Sequence, residues 1–214
     1  VTRDRLGNWA DAVTLSRVLL LPVLVWAAEA TRAAVGTDGL GSGSRPLVLV
    51  VLLAIGASDV LDGRLARRSG APPTRRGAIL DAAADRLVQW TGVGYFTLRA
   101  TPAFSPLPLW LAALLVVRDV LLLGVWLRQR RARIASFEHE LHGKAATVTI
   151  FVALLASVSA APRTLVMLAA LTAAASISYS TARYAARLIR RSSSRTGSEA
   201  PRGGGRPGAT RSAF

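Results

Sequence analysis

Six predominantly apolar runs divide the chain, each close to the ~20 residues that a membrane-spanning helix needs. They cover roughly residues 12–34, 46–65, 77–98, 107–127, 143–160 and 163–188. All are too long and too rich in Ala and Leu to read as strands, so the pattern predicts helices throughout. The second run turns polar at its far end, and the third is polar at its near end. The interruptions are of the kind that end helices. Residues 36–44 are a Gly/Ser-rich linker, 68–76 carry the paired prolines Pro72 and Pro73, and 102–108 form a proline-bounded turn. Pro162 opens the last run, where proline is tolerated. The expected fold class is therefore all-α integral membrane, with six transmembrane helices. Residues 1–11 form a juxtamembrane segment, 12–190 the helical domain, and 191–214 a basic tail. The first segment mixes Arg3, Arg5, Asp4 and Asp11 with Leu6 and Trp9. It is expected either to lie on the membrane surface as an amphipathic helix or to be a solvated terminus. The first run is longer than the apolar core of a signal peptide and lacks an obvious small-residue cleavage site.

Charge is segregated from the apolar runs and orients them. The 214 residues include 27 Lys and Arg against 12 Asp and Glu, a net charge of +15, although 51% are hydrophobic. With six spans, one side collects the N-terminus, the 68–76 and 128–144 connections and the C-terminal tail. Together with Arg17, Arg64, Arg67, Arg187 and Arg190 on the adjoining helix ends, that side holds twenty basic residues, from Arg3 to Arg211, against Arg32, Arg45, Arg99 and Arg163 on the other. Both termini are therefore expected in the cytoplasm. The Ser-, Gly-, Arg- and Pro-rich tail is expected to be disordered. It would attract anionic head groups by about 1 kcal/mol per basic residue near the surface. Nucleic-acid binding is disfavoured, because the tail has no interleaved aromatics and follows an apolar domain. The absence of cysteine excludes thiol catalysis and disulfide scaffolds, and with only His139 and His142 a multi-histidine metal site is excluded too. Trp9, Trp110 and Trp126 fall near predicted helix ends, as an interfacial belt requires, whereas Trp26 and Trp90 are expected to pack inside.

Four acidic residues stand apart from the rest. Asp59 and Asp62 are three apart in the second helix, and Asp81 and Asp85 four apart in the third. Both spacings place the side chains on one helical face. Consecutive spans run antiparallel, so the four carboxylates can converge near the cytoplasmic loop. Alone this is unfavourable: an Asp at the centre of a span costs about 2.5–3.5 kcal/mol, and four like charges oppose one another's ionisation. Hard divalent cations such as Mg²⁺ or Mn²⁺ would remove both penalties, and four carboxylates suffice to bridge two of them. On spacing alone, an ion or proton path, or pairing with Arg64, Arg67 and Arg86, stays open.

The residues between the aspartates narrow this choice. Asp59-Val-Leu-Asp62-Gly63-Arg-Leu-Ala66-Arg67 is followed, nine residues on, by Gly77-Ala-Ile-Leu-Asp81-Ala-Ala-Ala-Asp85. The stretch resembles the D-x-x-D-G-x-x-A-R-(x)n-G-x-x-x-D-x-x-x-D motif of the CDP-alcohol phosphatidyltransferase family at all eight fixed positions. The gap is one or two residues longer than is usual in that family, and the extra length falls in the Pro72-Pro73 loop, where insertions are tolerated. The motif spans 27 residues, and the helix plan extends the likeness to most of the chain.

The resemblance implies transfer of a phosphatidyl group from CDP-diacylglycerol to a polar alcohol with release of CMP. It implies that Asp59, Asp62, Asp81 and Asp85 hold two divalent ions and that Asp85 also accepts the proton of the incoming hydroxyl. Asp59, Asp62, Gly63, Ala66, Arg67 and Gly77 would contact the nucleotide, small residues allowing close approach. Direct in-line attack would need no covalent enzyme intermediate. A homodimer in the plasma membrane, with its active site on the cytoplasmic side, is the family-like arrangement.

For the acceptor, Arg118 lies inside the fourth run beside Asp119, and an intramembrane ionisable residue is a functional candidate by default. Lys144, the only lysine, sits in Gly143-Lys144-Ala-Ala-Thr147. That sequence resembles the G-K-x-x-T element of the phosphatidylglycerophosphate synthase and bacterial cardiolipin synthase branch. Arg183 lies in the sixth run, and the three cations could hold an acceptor phosphate. The segment Asn8-Trp-Ala-Asp-Ala-Val-Thr14-Leu-Ser-Arg17 is also similar to that branch's N-P-N-x-L-T-x-x-R element, without its proline. These features rank glycerol 3-phosphate first as acceptor, phosphatidylglycerol (giving cardiolipin) second and inositol phosphate third. Structural pairing of Arg118 with Asp119 is the plainer alternative. A different class, an ion channel or transporter, predicts ion flux and indifference to CDP-lipid.

Overall fold

The computed structural model describes residues 2–38, 45–69, 75–99, 102–131 and 141–196. The apolar runs become helices in the expected order. They are α1 (Thr2–Asp38), α2 (Arg45–Ser69), α3 (Arg75–Leu98), α4 (Leu109–Arg131), α5 (Leu141–Val158) and α6 (Arg163–Thr196), with no strand among the described residues. Residues 2–11 form no separate interfacial element; they are the opening turns of α1, which continues through Pro22. At the other end α6 runs on to Thr196, into the segment expected to be disordered, and the rest of that tail lies outside the described residues.

Helix α1 packs against both α2 and α3, α5 and α6 pair, and α4 is held by α3 and α6; α5 also touches α2 and α3. The buried positions follow helical spacing. Leu21, Leu24 and Ala28 line one stripe of α1, Val48, Leu52 and Ile55 one of α2, and Val166, Ala170, Ala173 and Ile177 one of α6. The opposite faces are also apolar: Leu15 and Leu19 of α1, Val50 and Leu53 of α2, Val116 and Val120 of α4, and Leu165, Leu168 and Leu171 of α6 are all exposed. A helix apolar on every side suits a bilayer or a larger core, not water. Among the described residues, two segments, Thr14–Val35 and Arg163–Arg183, are long and apolar enough to cross a membrane by themselves, and Ala145–Val158 is a shorter apolar helix. The aspartate and arginine residues of α2, α3 and α4 interrupt their apolar stretches. Trp26 and Trp90, expected inside, are both exposed.

One end of the bundle is closed by hydrogen bonds. Ser157 Oγ donates to the Ser105 carbonyl (2.6 Å), the Ser105 amide donates to the Ser157 carbonyl (3.1 Å), and Ser105 Oγ donates to the Ala161 carbonyl (2.7 Å). These bonds tie the α3–α4 connection to the α5–α6 turn. That turn ends α5 with Ala160 at φ 51°, while the Ala160 and Ala161 amides donate to the carbonyls of Ser157 and Ala156. This is the Schellman arrangement, in which glycine is the usual left-handed residue. The aspartates gather at the opposite end.

Candidate metal centre

Three helices build the centre. Ser58 extends the buried stripe of α2 by one turn, which puts Asp59 at the edge of the α1–α2 contact. On α3, Asp81, Asp85 and Gln89 follow one another at four-residue intervals and so lie along one face. One carboxylate oxygen from each of Asp59, Asp81 and Asp85 lies within 4.8 Å of the other two. Two ligands of a single octahedral ion with bonds near 2.1 Å stand about 3–4 Å apart, so small side-chain rotations bring the three oxygens onto one ion. The all-carboxylate donor set suits a hard divalent cation. Asp59 is about half exposed, at 48%, and Asp85 is 28% exposed, so the cluster opens toward one side.

Asp62 is placed by its backbone on α2, one turn beyond Asp59; its side chain lies outside the described residues, as do those of Ala66, Arg67 and Lys144. Gly63 is in the same helix, and Gly77 falls in the first turn of α3. The structure thus joins three of the four expected metal ligands. His139 is likewise outside the described residues.

Reading the sequence did not assign Arg17 to this site. Arg17 stands one turn before Leu21 on the buried stripe of α1, only 1% exposed. Its Nη2 lies 3.4 Å from Asp59 Oδ1 and its Nη1 3.5 Å from Asp81 Oδ1; Nη1 also pairs closely with Asp85 Oδ1, and Nε donates to Ser58 Oγ at 3.5 Å. By sequence Arg17 reads as one basic residue of the N-terminal side and as the last position of the Asn8–Arg17 element. A signal was available, because it is the first charge inside an apolar run, where an ionisable group marks function by default. One guanidinium against three carboxylates leaves a formal charge of −2, which one divalent ion would neutralise.

A second polar network begins one turn further along α3, about 6 Å deeper. Gln89 Oε1 accepts from Arg118 Nη2 (3.2 Å), and Gln89 Nε2 donates to Thr147 Oγ1 (3.2 Å), so this buried amide links α3, α4 and α5. Asp119 Oδ1 accepts from Arg86 Nη1 (2.8 Å) and Arg118 Nε (3.1 Å), and Asp119 Oδ2 accepts from the Trp90 indole (2.7 Å). The structural pairing of Arg118 is therefore real, and Arg86 pairs with Asp119. On α6, Arg183 lies over the Tyr179 ring, 5.7 Å from its centroid, and donates to its hydroxyl at 3.1 Å.

Residues 7–177 match the family model for CDP-alcohol phosphatidyltransferases. The chain is 33% identical over 153 residues to "Cardiolipin synthase (CMP-forming)" of Streptomyces coelicolor, covering 72% of this chain and 66% of that protein. It is 30% identical over 122 residues to "Probable cardiolipin synthase (CMP-forming)" of Drosophila melanogaster, covering 57% of this chain and 33% of that protein. The chain thus spans just under two thirds of the first relative's length and one third of the second's. No solved structure matches it.

Proposed function

Because the chain belongs to the CDP-alcohol phosphatidyltransferase family, we propose that it transfers a phosphatidyl group from CDP-diacylglycerol to phosphatidylglycerol, forming cardiolipin and releasing CMP. The convergence of Asp59, Asp81 and Asp85 from two helices onto one point carries this reading. Asp62, one turn along α2, completes the set. When bound to these four aspartates, two Mg²⁺ or Mn²⁺ ions would supply positive charge to the diphosphate and the departing CMP.

The chain's own residues do the rest. Asp85 takes the proton of the acceptor hydroxyl as its oxygen attacks the lipid-linked phosphorus. The new P–O bond forms in line with the bond to CMP, which breaks. Gly63, Ala66 and Gly77 leave room for the nucleotide, and Arg67 contacts it. Arg118, Lys144 and Arg183 hold the acceptor phosphate, with Gln89 and Asp119 fixing the Arg118 fork. The protein sits in the cell membrane with six spans, its active site and both termini cytoplasmic. The outward apolar faces and the distribution of basic residues support that placement. The names of the two relatives favour phosphatidylglycerol over glycerol 3-phosphate, which the sequence alone ranks first.

The test is CMP release by the purified full chain given CDP-diacylglycerol and Mg²⁺ or Mn²⁺. Phosphatidylglycerol, glycerol 3-phosphate and inositol phosphate are offered separately. Cardiolipin formation with the first is expected, and Asp85→Asn should abolish turnover while leaving the helical content unchanged. Turnover by Asp85→Asn would remove Asp85 from its role. A folded chain that releases CMP with none of the acceptors would refute the reaction.

A further inference from the structure

We propose that Arg17 is a resident counter-ion that competes with divalent cations for the carboxylates of Asp59, Asp81 and Asp85. The inference rests on the metal-centre reading above and adds a residue from α1 to it. Three observations carry it. The side chain is 1% exposed, so its charge must be met by protein anions. Its two terminal nitrogens reach all three carboxylates, with Asp59 and Asp81 at 3.4 and 3.5 Å and Asp85 closer. Those carboxylates also offer mutually close oxygens to an ion. A guanidinium that touches all three therefore stands where a single ion would also reach all three.

A monovalent and a divalent cation a few ångströms apart repel strongly away from bulk water. Ion loading therefore requires Arg17 to loosen its hold. Before loading, Arg17 offsets the repulsion that three clustered carboxylates would otherwise exert on one another. The competing view is that Arg17 merely assembles the carboxylates for the ion. The two views predict opposite signs when the positive charge is removed.

The experiment is a Mn²⁺ titration of the purified full chain in detergent, without CDP-lipid, with free Mn²⁺ followed by electron paramagnetic resonance. Arg17→Gln should lower the Mn²⁺ Kd by about tenfold or more at low ionic strength. Arg17→Lys keeps the charge but lacks the planar fork, so its Kd should fall between the two. If Arg17→Gln does not fold without metal, Arg17→Lys decides alone: severalfold tighter binding than wild type is expected. An unchanged or weaker affinity in the variants overturns the proposal while the metal centre stands. A wild-type chain that binds no Mn²⁺ overturns both.

Discussion

Asp119→Ala should destabilise the folded bundle by about 4 kcal/mol, most of it through Arg118. Asp119 accepts three hydrogen bonds, from Arg86, Arg118 and the Trp90 indole. The three are not equal. Arg86 is 41% exposed, so its pairing is screened and worth less than about 1 kcal/mol. The indole bond contributes about 1 kcal/mol. Arg118 is only 7% exposed, and without Asp119 the described partner left to its guanidinium is the Gln89 side-chain oxygen Oε1 at 3.2 Å. Breaking a buried pair by removing one member costs about 3–5 kcal/mol, because the other charge stays behind.

The same reasoning predicts partial rescue. Arg118→Met removes the stranded charge and fills much of the same volume, so the double variant should be more stable than Asp119→Ala alone. The coupling energy should be about 2 kcal/mol. Equilibrium unfolding in mixed micelles, followed by circular dichroism, gives the four stabilities. An Asp119→Ala variant within about 0.5 kcal/mol of wild type, or effects of the two substitutions that simply add, would refute the argument.

Two packing predictions concern positions away from the polar clusters. A Cβ added at Gly56 would lie 2.5 Å from Phe151 Cζ and 2.9 Å from Cε2. Gly56→Ala should therefore push the α5 ring outward and destabilise by about 1 kcal/mol net, overpacking outweighing alanine's better helix propensity. Phe151→Leu should relieve it, and a thermal shift showing Gly56→Ala more stable than wild type would contradict the contact. Ala160 has the left-handed backbone that glycine adopts without penalty. Ala160→Gly should stabilise by about 1 kcal/mol, raising the unfolding midpoint; a lower midpoint would mean that the turn does not hold this conformation.

Much of this protein is written locally. Runs of Leu, Ala and Val near span length mark the six helices of the described residues, because helix formation depends on neighbours a few residues apart; they do not mark the start of α1, which opens at Thr2, ten residues before its apolar run. The spacing of Asp59 and Asp62, and of Asp81 and Asp85, determines that each pair shares a face, and antiparallel chain direction brings the pairs to one end. Tertiary structure alone decided which other side chains meet them. Arg17 lies 42 positions before Asp59 and 68 before Asp85, and no local pattern states how α1 is rotated against α2 and α3. Ridge-into-groove packing of the Leu21, Leu24 and Ala28 stripe sets that rotation and carries Arg17 inward. Packing likewise decided that Arg86 and Trp90 turn to Asp119 and that Gln89 bridges three helices, while Trp26 faces outward. Side-chain partners across helices depend on the sum of all interhelical contacts, and a single sequence read by periodicity holds only one helix at a time.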